Sequence, residues 1–253
     1  YDANNINPLY GFFVARAGLG ASESMRSKLA EYNDPRLSRA FITKQGASGK
    51  EQAPGTADNA VYAPNGSPEQ GTSKYGTSLF MYSISAPTLL LSYHELKFLE
   101  AEALCRLGRD AKSALKDAVV AGLLNAESSF SVSRKELGKD LINPAASITE
   151  AEAESYFDNT VEAKYTAEPL KTTMTQKYFA LWGASGEATE SYNDVRRMKG
   201  LGENFIELKN PNSFPLRCPY GNSDTTTNAE VKAAYGNGQY VYSENVWWAG
   251  GSR

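Results

Sequence analysis

Apolar residues recur every three or four positions through residues 92–107. Leu96, Leu99, Ala103 and Leu107 share one side of a helix, and Phe98, Ala101 and Cys105 widen the stripe. Ser92 followed three residues later by Glu95 reads as a capping box. The serine oxygen accepts from a free amide of the first turn, and the glutamate reaches back. Gly108 supplies a left-handed stop. A second helix carries Ala111, Leu115 and Ala118 at the spacing A-x3-L-x2-A. Further apolar faces predict helices over 22–32 (Met25, Leu29, Tyr32), 170–182 (Leu170, Met174, Tyr178, Leu181) and 188–198 (Ala188, Tyr192, Val195). Ser147-x-x-Glu150 predicts another start, with a helix over 148–157, and Thr227-x-x-Glu230 a short helix ending near Tyr235. Pro169 stands where proline best opens a helix.

Between these runs the pattern is lost. Residues 1–21 read as loop, and Leu37, Ala40 and Phe41 as one further turn after Asp34-Pro35. Residues 45–77 are rich in Gly, Ser, Pro and Asn, too long for an ordinary connection. The last fifty residues are mostly turn-like. The expected fold is mainly α, one domain over residues 1–253, with long irregular loops and little sheet. The spacing in the 92–122 hairpin resembles the packing half of a tetratricopeptide repeat, where small residues let helices lie close.

Composition narrows the classes. The chain has 253 residues, 41% hydrophobic and 22% charged, with a net charge of −3, enough length for a real core and no basic run for nucleic acid or anionic lipid. No stretch reaches the ~18 apolar residues of a membrane helix. The sequence opens YDANNINPLYGFF without Met, reading as a piece of a longer chain whose location stays open. Cys105 lies on the apolar helical side, where it acts as a small hydrophobe; a disulfide with Cys218 is left open.

Candidate chemistry is sparse. His94 is the sole histidine, with no second histidine or cysteine beside it, and reads as structural. Glu100 and Glu102 point different ways on a helix. Gly18 and Gly20 lack the strand before and the Lys-Ser/Thr after that a phosphate loop needs. No catalytic constellation, metal site or cofactor motif is predicted. The 15 Tyr and 3 Trp are the other resource, since these rings pair an apolar face with a polar rim. A sugar-stacking ring must be rigid yet open. Tyr62 and Tyr75, in the long polar loop, are the nominated ligand contacts. Phe98, Tyr178 and Tyr192 are assigned to the core, and the adjacent Trp247 and Trp248 to a covered surface near the end of the chain.

Several segments, in order, resemble the SusD/RagB family of outer-membrane lipoproteins of Bacteroidetes. They are Asp34-Pro35-Arg36-Leu37, the run SAPTLLLSYHELKFLEAEALCRLG, Gln176-Lys177-Tyr178 with Ala180-Leu181, and Glu190-Ser191-Tyr192-Asn193-Asp194-x-Arg196-Arg197. Phe214-Pro215-x-Arg217-x-Pro219-Tyr220, Asn228 and the closing Asn245-Val246-Trp247-Trp248 also fit. Gly221 and Asp224 depart from the family's usual proline and glutamate, and Tyr178 and Tyr192 stand where tryptophan is common.

The resemblance implies a SusD-like helical fold, here the middle-to-C-terminal portion without the first repeats, and a lone repeat leaves its stacking face uncovered. It implies a cell-surface protein held by a lipid anchor outside this chain. Such a protein captures glycan or another nutrient for a SusC-like TonB-dependent barrel and catalyses nothing. It also implies that the shared motifs are structural, Arg196 and Arg197 bracing helix ends and carbonyls. Two other classes stay open on the residues alone: a glycoside hydrolase using paired carboxylates, and a helical-repeat adaptor for a protein partner.

Overall fold

Short polar side chains fix the helix starts. Ser22 Oγ accepts from the Met25 amide, Ser92 Oγ from the Glu95 amide at 3.1 Å, and Thr149 Oγ1 from the Glu152 amide, each satisfying an otherwise free first-turn donor. The computed structural model describes residues 5–16, 20–42, 61–66, 75–209 and 212–251. They belong to two compact units, Tyr1–Leu208 and Lys209–Arg253.

The first unit holds eight described α-helices: α1 (Pro8–Arg16), α2 (Glu23–Glu31), α3 (Tyr93–Arg106), α4 (Lys112–Leu137), α5 (Glu150–Tyr156), α6 (Glu162–Ala167), α7 (Pro169–Leu181) and α8 (Ala188–Gly200). One antiparallel pairing, β1 (Phe41–Ile42) with β2 (Thr77–Ser78), is its described sheet. The second unit holds α9 (Asn222–Thr227) and α10 (Ala229–Tyr235). The mainly helical fold is as the periodicity predicts.

The α3–α4 hairpin forms as expected, with Gly108 left-handed at φ 67° and Ala111, Leu115 and Ala118 buried. Helix α7 crosses it. A Cβ at Gly122 of α4 would meet the Ala180 Cβ of α7 at 2.9 Å, so glycine permits that approach. Phe98, Leu115, Leu123, Phe130 and Phe157 form the centre of the core, with Phe80 and Phe130 rings 4.7 Å apart.

Helix α7 is buried on nearly every side although Thr172, Thr173, Thr175, Gln176 and Lys177 make it polar in sequence. Bonds to several of these polar atoms offset the burial, while Gln176 Oε1 has no partner among the described residues. Thr173 and Thr175 hydroxyls donate to the carbonyls of Pro169 and Lys171 one turn back, and Gln176 Nε2 donates to the Tyr156 hydroxyl at 3.0 Å.

Several expectations are corrected. Residues 8–16 are helical, not loop, started by Asn7, whose Oδ1 accepts from Leu9 N–H while its Nδ2 donates to the Ala86 carbonyl. Helix α4 runs to Leu137, well past residue 122, because Ser129, Phe130 and Ser133 are buried and the Ser133 hydroxyl donates to the carbonyl of Leu79 at 2.6 Å. The cap of α5 is Thr149 with Glu152, not Ser147 with Glu150. A π-helical turn, Phe157–Val161, then joins α5 to α6, so the helical segment ends at Ala167. Asn228, not Thr227, caps α10. On α8 the buried pair is Val195 and Met198, while Ala188 and Tyr192 face out.

The inward side of α3 is also not the one its leucines predict. His94, Glu95, Phe98, Ala101 and Glu102 are buried. Leu96, Leu99, Ala103 and Leu107 are exposed, as are Leu90 and Leu91 before the helix.

Candidate functional site

The shared motifs interlock rather than line an opening. Arg36, 2% exposed, forms a salt bridge with Asp34 at 2.6 Å and donates through Nη1 to the Phe179 carbonyl at 2.7 Å, tying the Asp34-Pro35-Arg36 turn to the end of α7. Lys177 of α7 pairs with Asp194 of α8 at 2.8 Å. Arg197 grips Glu102 of α3 with both Nη atoms, and Arg106 adds a third bond to the same carboxylate. Burial alone would push the Glu102 carboxyl up, but those arginine bonds bring it below its ordinary value. Arg197 therefore meets carboxylates rather than helix-end carbonyls, and the Arg196 guanidinium lies 5.8 Å from the centre of the Tyr192 ring. These charges line a cleft of about 580 Å³ between α3 and α8, but the guanidinium bonds are taken by protein carboxylates.

The nominated loop rings are not open. Tyr75 is 4% exposed. The chain around it is pinned, with Ala21 N–H donating to Gly76 O and Gly76 N–H to Val61 O, both at 2.8 Å. Tyr62 is half-buried, edge-on to Phe41 at 5.2 Å, with the Arg26 guanidinium 5.7 Å from its ring centre. Loop position thus does not free either face: both ends of the long segment fold back on α2 and β1. Its interior, residues 43–60 and 67–74, lies outside the described residues.

The open rings lie elsewhere. Tyr93, the first residue of α3, is 61% exposed and borders a cleft of about 640 Å³ between α3, α4 and α5. Leu89, Val120, Ala121 and Leu124 supply its apolar floor, and Asp117, Asn125, Glu150 and Glu154 its polar edge. An aromatic face beside carboxylates and an amide suits a polyhydroxylated ligand, which presents C–H faces to the ring and hydroxyls to the acceptors. Lys116, also at this edge, is held by Asp158 at 2.7 Å. Tyr93 escaped sequence reasoning because it stands beside a cap serine, where spacing gives no orientation.

In the second unit Trp247 and Trp248 are both strongly exposed, against the expectation that they cover a surface. Tyr220 and Tyr235 there stack at 4.3 Å, with the Arg217 guanidinium 4.8 Å from the Tyr220 ring centre. Cys105 and Cys218 are free thiols. Among the described residues no group of three or more acidic, histidine or cysteine side chains is placed to hold a metal, and no helix is long and apolar enough to cross a membrane.

Comparison with known proteins adds three solved structures. A SusD/RagB family protein from Bacteroides thetaiotaomicron superposes with a TM-score of 0.88 at 65% identity, over 100% of this chain and 54% of that one. A SusD homolog from Bacteroides fragilis gives 0.62 at 20% identity, over 96% of this chain and 55% of that one. An outer membrane protein from Bacteroides vulgatus, described with nutrient binding as its candidate role, gives 0.57 at 20%, over 88% and 50%. This chain thus spans about half the length of these relatives. No curated protein matches it. Residues 2–220 match the SusD-like family described as starch-binding and associating with the outer membrane. With that match covering most of the sequence and the shared motifs forming its internal braces, the chain belongs to the SusD-like family.

Proposed function

We propose that this chain is part of a cell-surface lipoprotein that binds a glycan or related nutrient and hands it to a SusC-like TonB-dependent transporter, without cleaving it. The family match over residues 2–220 carries this reading, because the family description couples starch binding to the outer membrane. The buried braces support it: the charged motif residues are spent on holding helices together, which leaves ligand capture to surface rings. Tyr93 and its cleft are the proposed contact in the first unit. The exposed leucine side of α3 is proposed to receive the remaining helical repeats of the longer chain.

The test is isothermal calorimetry with soluble starch and a panel of plant and host oligosaccharides, together with reducing-end assays on the same mixtures. Binding without new reducing ends is expected, and sustained sugar release overturns the reading in favour of a hydrolase. Tyr93→Ala is expected to weaken binding by ~2–10-fold, the value of one aromatic stack. Unchanged affinity removes this cleft and leaves Trp247 and Trp248. Co-purification with a TonB-dependent barrel from outer membranes tests the partner.

A further inference from the structure

The start of α3 is tied to the turn between α7 and α8 by groups outside the family braces. Glu187, in that turn, is 1% exposed. Its Oε1 accepts from the backbone N–H of Ser92, the cap residue of α3. Its Oε2 has no hydrogen-bond donor and lies 3.6 Å from His94 Nε2, which is equally buried and equally unbonded. The Glu95 carboxyl, 6% exposed, sits within hydrogen-bond range of the Glu187 carboxyl. Two carboxylates are acceptors only, so a bond between them requires a proton on one. The backbone is locked at the same place. Leu89 N–H donates to the Ser185 carbonyl at 2.7 Å, and Gly186, at φ 95°, leaves no room for a Cβ, which would stand 2.1 Å from the Leu89 carbonyl oxygen.

We propose that Glu187, Glu95 and His94 form a proton-holding latch that fastens the start of α3 to the α7–α8 turn, with one proton held between the two carboxyls at mildly acidic pH and the imidazole kept neutral. The surrounding charges agree. From α7, Lys177 is committed to Asp194 of α8 and only partly offsets the negative pair; from α8, Glu190 adds further negative charge. From the turn before β1, the Arg36 guanidinium opposes a charged His94. Burial, then the neighbouring Glu187, raises the Glu95 carboxyl to about 7, and burial lowers His94 although Glu187 pulls the other way.

The two groups act on stability with opposite signs. A carboxyl raised from 4.5 to about 7 on folding favours the folded chain at low pH, and that contribution is lost as pH rises through 7. A histidine lowered from 6.5 favours the folded chain above 6.5, and that contribution is lost as pH falls. Between about pH 5 and 7 the native chain takes up a proton on Glu95 while the unfolded chain takes one up on His94, so the two contributions oppose each other in the parent.

Urea unfolding followed by tryptophan fluorescence at steps between about pH 5 and 8 reads this out. Glu95→Gln removes the native proton, and its folding constant is expected to fall from pH 7 to pH 5, where the parent's Glu95 offsets that fall. His94→Gln removes the opposing group and is expected to gain roughly tenfold or more over the same span. A Glu95→Gln profile parallel to the parent's overturns the latch. Should either variant fail to fold, carbon-13 titration of the glutamate carboxyls in the unaltered chain decides. One carboxyl titrating near pH 7 supports the proposal; all of them titrating below about pH 5.5 overturns it. No step depends on which ligand the protein binds.

Discussion

The two sides of α3 invert the usual rule. One side buries His94, Glu95 and Glu102 around Phe98 and Ala101; the other leaves Leu96, Leu99 and Leu107 in water. The polar side is enclosed by groups brought from elsewhere in the chain: Arg197 from α8 pairs with Glu102, and Glu187 from the α7–α8 turn accepts from the Ser92 amide and lies 3.6 Å from His94 Nε2. Buried charges are tolerated when paired and costly when not. The leucine side has no counterpart among the described residues, and in the proposed function it is reserved for further helices. Burial along α3 thus follows available partners more than residue hydrophobicity.

Phe98→Ala should have the largest effect on that contrast. Phe98 is fully buried among α3, α4 and α7, and truncation should cost ~3–5 kcal/mol by the transfer and cavity terms together, seen as a lower midpoint in chemical denaturation. Next comes the pH response of the polar side. Glu102 is held below its ordinary 4.5, so its contribution is present above that pH and is lost as pH falls through its lower folded value. Acid unfolding should show this loss in the parent and a shallower slope in Glu102→Gln, which starts from a lower stability at neutral pH because Arg197 and Arg106 lose their charged partner. The smallest effect belongs to the leucine side. Leu96→Ser with Leu99→Ser should shift the stability of this chain by no more than ~0.5 kcal/mol per site, because both are already in water. In the longer chain the same pair should cost ~2 kcal/mol or more if helices stack there, and equal behaviour in both lengths would remove that reading.

What was local in origin was legible. The Ser92 cap, the Gly108 stop, Pro169 at a helix start and the apolar spacing of α2 act within one or two turns, and the structure places those features where the sequence predicts. The family motifs could be read as well, as order along the chain. Their role as braces waited for the partners: Phe179 O for Arg36, Asp194 for Lys177, Glu102 for Arg197.

The candidate site was less legible. Tyr62 and Tyr75 lie in a segment whose composition reads as a polar loop, yet backbone bonds to residues forty or more positions away fold it onto α2 and β1 and enclose Tyr75. Tyr93, one residue after the cap serine, carries no periodic signal that says which way its ring turns.

The sequence by itself determined where α2, α3, α7 and α8 begin, that the fold is mainly α and which family the motifs resemble, because caps, stops and spacing act over a few residues. Only the tertiary structure decided which side of α3 is inside, that α4 continues through Ser129 and Ser133, that polar α7 lies in the core and that Glu187 meets His94 and Glu95. Each of those outcomes depends on a donor, acceptor or opposite charge delivered by a distant segment, and no local pattern encodes its arrival.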